Sequence, residues 1–291
     1  MLKKKLVRQV GPVTEHAAKL NKEMEELAHK GVVSAESASR FRKDMDGFLE
    51  ILRTYEEGLE KGTQQVDWSK VSTERIADII TPYEECQNNA TTSVAKLAIL
   101  KLNGGLGTTM GCTGPKSVIE VRNGKTFLDL IVDQVHELKE TTGQSVPLVL
   151  MNSFNTHEET GHVVKRYESL VDIYSFEQSQ HPRFTPGDHM PVVASMTKAA
   201  IDAKHFWYPP GHGDVFEALC NSGTLEKLEK RGVEYIFISN VDNLGATADF
   251  RVLNKMIESG AEFVMEVTAK TDADVKVKER ARERRNGLLS C

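Results

Sequence analysis

Apolar residues recur at helical spacing in the first part of the chain. They follow every third or fourth position at Phe41, Met45, Phe48, Leu52, Tyr55 and Leu59. This period is typical of the buried face of a helix. We predict helix over residues 14–62, with Ser34 as an N-cap, Glu36 in a first turn and Gly62 as a stop. Residues 63–95 are mixed and polar, as in a connecting segment.

Short apolar runs then alternate with helical patterns. The predicted strands are 97–102, 118–121, 146–151, 171–176, 235–239 and 262–268. A helix is predicted after Thr126, which has Asp129 three residues later as an acidic capping partner. Further helices are predicted at 157–170, 225–231 and 250–259. The alternation predicts an α/β fold: a mixed, mostly parallel sheet with helices on both faces, preceded by N-terminal helices.

The same patterns divide the chain into three parts. Residues 1–95 are predicted to be a helical region and connector, and residues 96–276 an α/β domain. Residues 277–291 are dense in charge and predict a poorly packed tail. Because ligands bind beyond the carboxyl ends of strands in such sheets, candidate chemistry is sought in the loops after the strands.

Composition narrows the class of partner. The chain has 291 residues and a formal net charge of −5, so it lacks the basic footprint of a nucleic-acid-binding surface. It also lacks an apolar run long enough to span a membrane, so no membrane partner is expected. Its four cysteines form no CxxC pair and are expected to be reduced thiols of a cytoplasmic protein.

A glycine-rich loop follows the first predicted strand. Residues 102–117 read LNGGLGTTMGCTGPKS, with five glycines in eleven residues. Successive free N–H groups in such a loop can bind an anion, although an ordinary tight turn is the alternative. The loop is neither GxGxxG, since Met110 stands where the last glycine should, nor a P-loop, since Pro115 precedes Lys116. Lys116 is expected to contact a phosphate; the alternative is a solvated surface lysine.

Three other loops carry candidate chemistry. His212 lies between two glycines in WYPPGHGD and is a candidate ligand contact, with a structural histidine as the alternative. Asp214 is a possible cap of the helix near Val215. Asp242 follows a strand and has either an Asx-turn role or a Mg²⁺ role. Gln178 could read a base edge, but alone it is a weak signal.

Together these residues resemble the UDP-glucose pyrophosphorylase (UTP–glucose-1-phosphate uridylyltransferase) family. The matching segments lie in consistent order over about residues 40–276. They are KDMDGFL, VDWSK, ITPYE, KLNGGLGTTMGCTGPKS, VPLVLMNSFNT, FEQSQHPRF, WYPPGHGD, SNVDNLGA and FVMEVTAKTDADVK. The resemblance implies the Rossmann-like fold of nucleotide-diphospho-sugar transferases. It also implies in-line attack of glucose 1-phosphate on the α-phosphorus of UTP, giving UDP-glucose and pyrophosphate with Mg²⁺.

The resemblance also implies roles for individual residues. The nucleotide-binding residues would be Leu102, Asn103, Gly104, Gly105, Lys116, Gln178, Gly211 and Asp242. The substrate-binding residues would be Gly105, His212 and Asn240. Lys116 and Asp242 would be catalytic, and Asp242 would also bind Mg²⁺. Gln178 and the Gly211 backbone would hold uracil.

The resemblance stops near residue 276, where the family continues with a glycine-glycine strand, a second phosphate-binding lysine and a β-helix domain used in assembly. This chain instead reads VKERARERRNGLLSC. We therefore expect a truncated member that binds UTP with weak or absent turnover and does not assemble through that domain. A non-catalytic UTP-binding fragment or regulatory module is the main alternative. A P-loop NTPase is the other, and Pro115 argues against it.

Overall fold

The protein is described by a computed structural model of residues 2–62, 70, 80–86, 94–107, 111 and 113–268; for residues 2–11, 60 and 61 it describes the backbone alone. The chain divides into two compact units. One comprises Met1–Glu60 and Thr92–Ala248, and the other Lys61–Thr91 and Asp249–Cys291. The boundaries predicted at residues 95 and 276 stay predictions, and the tail 277–291 lies outside the described residues. No described helix is long and apolar enough to cross a membrane.

Two long helices open the first unit: α1 (Leu2–His29) and α2 (Ala35–Lys61). The break between them confirms the predicted N-cap, because Ser34 Oγ accepts a hydrogen bond from Ser37 N at 3.0 Å. Gly62 has φ +64° where α2 ends. The two helices share a core with residues 193–207, formed by Val13, Ala17, Leu20, Met24, Ala38, Met45, Phe48, Leu52, Val193, Met196, Ala200 and Trp207. Most of the predicted stripe on α2 is therefore core packing.

Four parallel strands form the central sheet. The described strands are β1 (Leu97–Asn103), β2 (Glu120–Arg122), β3 (Lys125–Thr126), β4 (Leu148–Asn152), β5 (Ile173–Glu177), β6 (His181–Pro182), β7 (Trp207–Tyr208) and β8 (Tyr235–Asn240). The sheet order is β5-β4-β1-β8. Asn103 pairs with Asn152, and Asn152 with Glu177, so the carboxyl ends of three strands are level. Polar residues from different strands thus meet at one edge.

Helices cover both faces of this sheet, as predicted. The helices after β1 are α3 (Phe127–Thr142), α4 (His157–Val164), α5 (Lys198–Asp202), α6 (Val215–Asn221) and α7 (Thr224–Lys230), while α8 (Phe250–Ser259) belongs to the second unit. Of these, α5 packs in the core of α1 and α2 and not on the sheet. Ala98 and Leu100 of β1 share a core with α6 and α7. Ile99 and Lys101, which point the other way because side chains alternate along a strand, line a cavity beside α3. The capping box of Thr126 and Asp129 that starts α3 is confirmed.

Two strand predictions were wrong in type or place. The predicted strand 118–121 does not join the main sheet. Residues 116–118 form a 3-10 turn, and β2 pairs only with β3 across Asn123-Gly124, whose positive φ values of 54° and 74° suit a tight hairpin turn. Residues 262–268 form no strand: they are exposed and no described residue pairs with them. A strand needs a hydrogen-bonded neighbour, which apolar sequence alone does not supply.

Two further boundaries differ from the prediction. Helix 157–170 ends as α4 at Val164 and continues only as a 3-10 turn over residues 165–167. Asp214 precedes α6, but its side chain makes no capping hydrogen bond. Its carboxylate instead accepts from Ser179 N at 2.6 Å and from Ser179 Oγ at 3.0 Å. The stronger partner is the loop after β5, which was not visible in the sequence.

Candidate functional site

The end of β1 is fixed by a buried polar network. Asn103 Nδ2 donates to Asn152 Oδ1 at 2.7 Å and to Thr160 Oγ1 at 3.0 Å. Thr156 Oγ1 donates to the Asn103 carbonyl at 2.9 Å. Asn103 is fully buried, so its side chain holds strands and helix together at the carboxyl edge. Leu102, one residue earlier, is half-buried beside the α6 and α7 core.

The two glycines after β1 serve different purposes. A Cβ on Gly104 would lie 2.0 Å from Gln178 Nε2, whereas a Cβ on Gly105 would meet nothing within 4 Å. Gly104 is therefore required by the close approach of the Gln178 amide. Gly105 is exposed, and its carbonyl accepts from Lys116 N at 3.1 Å. The glycine-rich loop thus folds back so that Lys116 returns beside Gly105.

Gly104, Gln178 and Gly211 form one cluster, called the Gln178 cluster below. Gly211 N donates to Gln178 Oε1 at 2.9 Å, and Gln178 N donates to the Asn152 carbonyl at 2.8 Å. Gly211 has φ +101°, a conformation that favours glycine. Gln178 is 2% exposed, and among the described residues none accepts a hydrogen bond from its Nε2. Residues from three loops, of which the Gln178 loop was weakly signalled in the sequence, therefore meet at one amide.

Lys116 and Asp242 form a second part of the edge. Lys116 Nζ lies 2.9 Å from Asp242 Oδ2, and both side chains keep about a third of their surface exposed, 29% and 35%. The loop that carries Asp242 is anchored by Lys101, a residue that the sequence analysis missed. Lys101 Nζ donates to Ser239 Oγ at 2.7 Å and to the Ala246 carbonyl at 2.9 Å. Its signal was a lysine inside an apolar strand.

Burial lowers the pKa of Lys101 to about 8. The side chain is only 2% exposed, so its ammonium group has lost most of its water and relies on these two oxygen acceptors. Lys101 is therefore a support for the Asp242 loop and does not belong to its accessible surface.

His212 and Asn240 lie at the same edge but remain apart from these clusters. His212 is exposed and begins the 3-10 turn after Gly211. Asn240 is exposed at the end of β8, where it pairs with Leu102. Within the described part of the chain, neither side chain hydrogen-bonds to another predicted site residue. Both are accessible to a ligand, and their roles stay predictions.

The acidic groups at this edge do not form a closed metal site. Across the described ranges, no group of three or more His, Cys, Asp or Glu side chains is arranged to hold a metal ion. Asp242 offers one carboxylate, and its Oδ2 binds Lys116. This donor set fits Mg²⁺ that arrives with phosphate oxygens, because Mg²⁺ is commonly held by one or two carboxylates together with substrate phosphates.

The parallel sheet, its covering helices and the loops at its carboxyl edge define a doubly wound α/β protein, a class that binds ligands at this edge. A family model described as UTP--glucose-1-phosphate uridylyltransferase matches residues 45–280. The chain belongs to the UTP--glucose-1-phosphate uridylyltransferase family. The resemblance noted in the sequence is thereby confirmed for the family and its fold.

Relatives and solved structures agree with this assignment. The chain is 50% identical over 240 residues to UTP--glucose-1-phosphate uridylyltransferase of Solanum tuberosum, covering 80% of this chain and 49% of the relative. It is 54% identical over 216 residues to UTP--glucose-1-phosphate uridylyltransferase 2 of Dictyostelium discoideum, covering 72% and 42%. The chain spans about half the length of the curated relatives it matches.

Two crystal structures of UDP-glucose pyrophosphorylase from Leishmania major share the fold. Both are of mutant forms of that enzyme. One has a TM-score of 0.66 at 30% identity, covering 89% of this chain and 50% of that one. The other, which was solved in complex with UDP-glucose, has a TM-score of 0.64 at 28% identity, covering 88% and 50%.

Proposed function

We propose that this chain binds UTP and glucose 1-phosphate at the carboxyl edge of its sheet for transfer of the uridylyl group. The product would be UDP-glucose, and pyrophosphate would leave. Family membership supports the reaction, and the Leishmania major complex supports UDP-glucose as a ligand of a related protein. The observation that carries the proposal is the Gln178 cluster, in which three loops join around one amide.

The Gln178 cluster would recognise the base. Gly211 N already occupies Gln178 Oε1, so the amide offers Nε2 as a hydrogen-bond donor. A donor at this position matches a uracil carbonyl. Gly104 leaves room for the amide because it has no side chain. Leu102, Asn103 and Gly105 would line the nucleotide through backbone groups.

The Lys116–Asp242 pair would handle the phosphates. One pair of like unit charges at 4 Å costs about 4 kcal/mol at an effective dielectric near 20, and two phosphorylated substrates bring several. Lys116 is paired with the Asp242 carboxylate. We infer that Lys116 exchanges this partner for a UTP phosphate oxygen. Asp242 would then be free for Mg²⁺, which supplies further positive charge against the phosphate oxygens.

The reaction itself would need positioning and charge, without a nucleophilic side chain. An oxygen of glucose 1-phosphate would form a bond to the α-phosphorus of UTP while the bond from that phosphorus to the bridging oxygen breaks, and the electron pair leaves with pyrophosphate. His212 and Asn240, both exposed at this edge, would contact the sugar phosphate together with Gly105. Holding the two substrates in line would supply much of the rate enhancement.

The proposed location is the cytoplasm. Cys86 and Cys220 are free thiols among the described residues. Dispersed reduced cysteines are typical of reducing compartments, which supports this location.

The direct test measures UTP binding by calorimetry and UDP-glucose formation in the same preparation of residues 1–291. We expect UTP to bind and Mg²⁺ to strengthen it. Asp242→Asn is expected to reduce the Mg²⁺ dependence. Asp133→Asn should not, because it changes an exposed carboxylate on α3 that pairs with Lys125. Binding without product would favour the binding-module alternative. Absence of UTP binding in a folded sample would overturn the proposal.

A further inference from the structure

Arg40 holds the peptide that carries Gln178. Arg40 lies on α2, and its guanidinium donates to the Glu177 carbonyl at 3.3 Å and to the Gln178 carbonyl at 3.0 Å. It also pairs with the Glu177 carboxylate at 2.6 Å. Nη2 donates to both consecutive carbonyls while Nη1 donates to the Glu177 carboxylate, so the two nitrogens of one planar guanidinium hold three acceptors. A lysine ammonium has a single nitrogen and cannot reproduce this fork. These residues are more than 130 positions apart in the chain.

Asp44 holds the other side of the same segment. It lies one turn after Arg40 on α2, is 7% exposed, and its Oδ2 accepts from Gln180 N at 3.0 Å. Asp214 accepts from Ser179 N, and Asn152 accepts from Gln178 N. The N–H groups of residues 178–180 and the carbonyls of Glu177 and Gln178 therefore all have fixed partners. The backbone around Gln178 cannot rotate without breaking a charge-assisted hydrogen bond.

Packing α2 through buried charged groups costs more free energy than packing it through apolar side chains. Asp44 is 7% exposed, so its charge is poorly solvated, and this burial raises its pKa to about 6. Asp214 and Glu177 add two more carboxylates near the single guanidinium of Arg40. An apolar side chain at position 44 would avoid this desolvation. What the carboxylate adds is a defined acceptor for the Gln180 peptide.

We propose that Arg40 and Asp44 are positioning residues that make the Gln178 amide select uracil over cytosine. The inference rests on the proposed function, in which Gln178 contacts the base. With its peptide fixed and Oε1 turned toward Gly211 N, the amide keeps its Nε2 donor for the base. That donor suits the carbonyl at C4 of uracil and opposes the amino group at C4 of cytosine. A loosened peptide lets the amide turn and offer Oε1, which accepts from cytosine.

The test compares dissociation constants for UTP and CTP by calorimetry on residues 1–291. We expect Arg40→Ala and Asp44→Ala each to lower the preference for UTP over CTP roughly tenfold. Asp44→Asn should keep the preference, because its amide oxygen can still accept from Gln180 N. A purely structural role would weaken both nucleotides equally and leave their ratio unchanged.

Two residues of the same helix supply matched controls. Arg42 pairs with Glu25 at the surface, and Asp46 is exposed. Arg42→Ala and Asp46→Ala should therefore leave the ratio unchanged. If Asp44→Ala fails to fold, Arg40→Lys provides the test. It keeps the charge but has one nitrogen in place of the two that hold the carbonyls and the Glu177 carboxylate, so it too should lower the ratio.

Gln178→Ala distinguishes a failure of the positioning role from a failure of the proposed base contact. If this variant loses the preference while Arg40→Ala, Asp44→Ala and Arg40→Lys retain it, the positioning role is overturned and the proposed function stands. If the parent shows no preference, or Gln178→Ala keeps it, the proposed base contact itself fails, and the positioning role fails with it.

Discussion

The Gln178 cluster and the Lys116–Asp242 pair lie at the same edge of one sheet but are built differently. Gln178 is 2% exposed, and its backbone is bonded to Arg40, Asn152 and neighbouring loops. Lys116 and Asp242 are about one third exposed and bond chiefly to each other. The first is a rigid, buried element. The second is an ion pair open to solvent.

The proposed roles of the two parts would account for this difference. A base is recognised by the direction of its donors and acceptors, so an amide that reads it must be prevented from turning. Phosphates are recognised mainly by charge, which acts over distance and tolerates movement. A site for a nucleotide can therefore combine one fixed part and one adaptable part. Four measurements would test this contrast.

We expect the largest of the four effects in how the free energy of unfolding depends on pH, because the Asp44 carboxyl is buried. Burial raises the pKa of Asp44 from its ordinary 3.8 to about 6. The nearby carboxylates of Asp214 and Glu177 also raise this pKa, whereas the Arg40 guanidinium lowers it. Between about pH 4 and pH 6 the folded state then binds more protons than the unfolded state, so the contribution of Asp44 to stability falls as pH rises. A difference of about two pKa units corresponds to on the order of 3 kcal/mol. Urea unfolding of the parent and Asp44→Asn at several pH values measures it.

The comparison between these two proteins isolates the one carboxyl group. Relative to Asp44→Asn, the parent should lose stability from pH 4 to pH 6 and change little above pH 7. Parallel stability curves over this range would mean that Asp44 is solvated, and the contrast between a buried and an open part would be lost.

The second effect is steric. Gly104→Ala places a methyl group on the Gln178 amide, which cannot move aside without releasing Gly211 N. We expect UTP affinity to fall on the order of 100-fold, measured by calorimetry. Gly161→Ala in α4 is the control, since its added Cβ meets nothing within 4 Å. Parent-like affinity in Gly104→Ala would show that the amide does not contact the nucleotide.

The third effect tests the open part. Lys116→Ala should weaken UTP binding roughly 10- to 50-fold, because a charge-assisted contact with a phosphate is lost. The loss should shrink as salt is raised, since the pair is exposed and screened. Lys125→Ala, which removes a surface lysine paired with Asp133 at 2.6 Å, should change little. An unchanged Lys116→Ala would remove the phosphate role.

The smallest effect is expected at Lys101, which supports the loop of the exposed Lys116–Asp242 pair. Ser239→Ala removes one of the two acceptors of Lys101. We expect thermal unfolding to show a loss of about 1 kcal/mol and UTP affinity to stay within twofold of the parent. An affinity loss as large as that of Lys116→Ala would mean that the Asp242 loop is held as rigidly as Gln178.

Much of the fold could be predicted from local patterns. The spacing of apolar residues and the capping residues were sufficient to predict α3 and α8. Thr126 and Asp129 form the capping box of α3, and residues 250–259 are helical as predicted. Which strands would pair with each other was not predictable. Residues 118–121 and 262–268 look equally strand-like, yet one lies at a local hairpin and the other is unpaired among the described residues. Strand formation depends on a distant neighbour that no short window contains.

The candidate site shows the same limit. Glycines, Lys116 and Asp242 were visible because their residue types and their place after strands suggest chemistry. Gln178 was weak because its partners come from elsewhere. Arg40 and Asp44 lie on a helix whose pattern indicates packing, and although Asp44 falls in the matching segment KDMDGFL, no site role was predicted for either residue. Asp214 was misread as a cap because local spacing could not reveal Ser179. Supports for a site are long-range by nature, whereas motifs are local.

The position of α2 in the chain has a consequence for how the protein is made. Met45 and Val193 share one core but are 148 positions apart. At 5–20 residues per second, α2 leaves the ribosome roughly 7–30 s before its partner segment exists. During synthesis its apolar stripe must stay soluble without that partner. Gln178, in turn, emerges after the helix that will orient it, so the orienting contacts can form as soon as the loop appears.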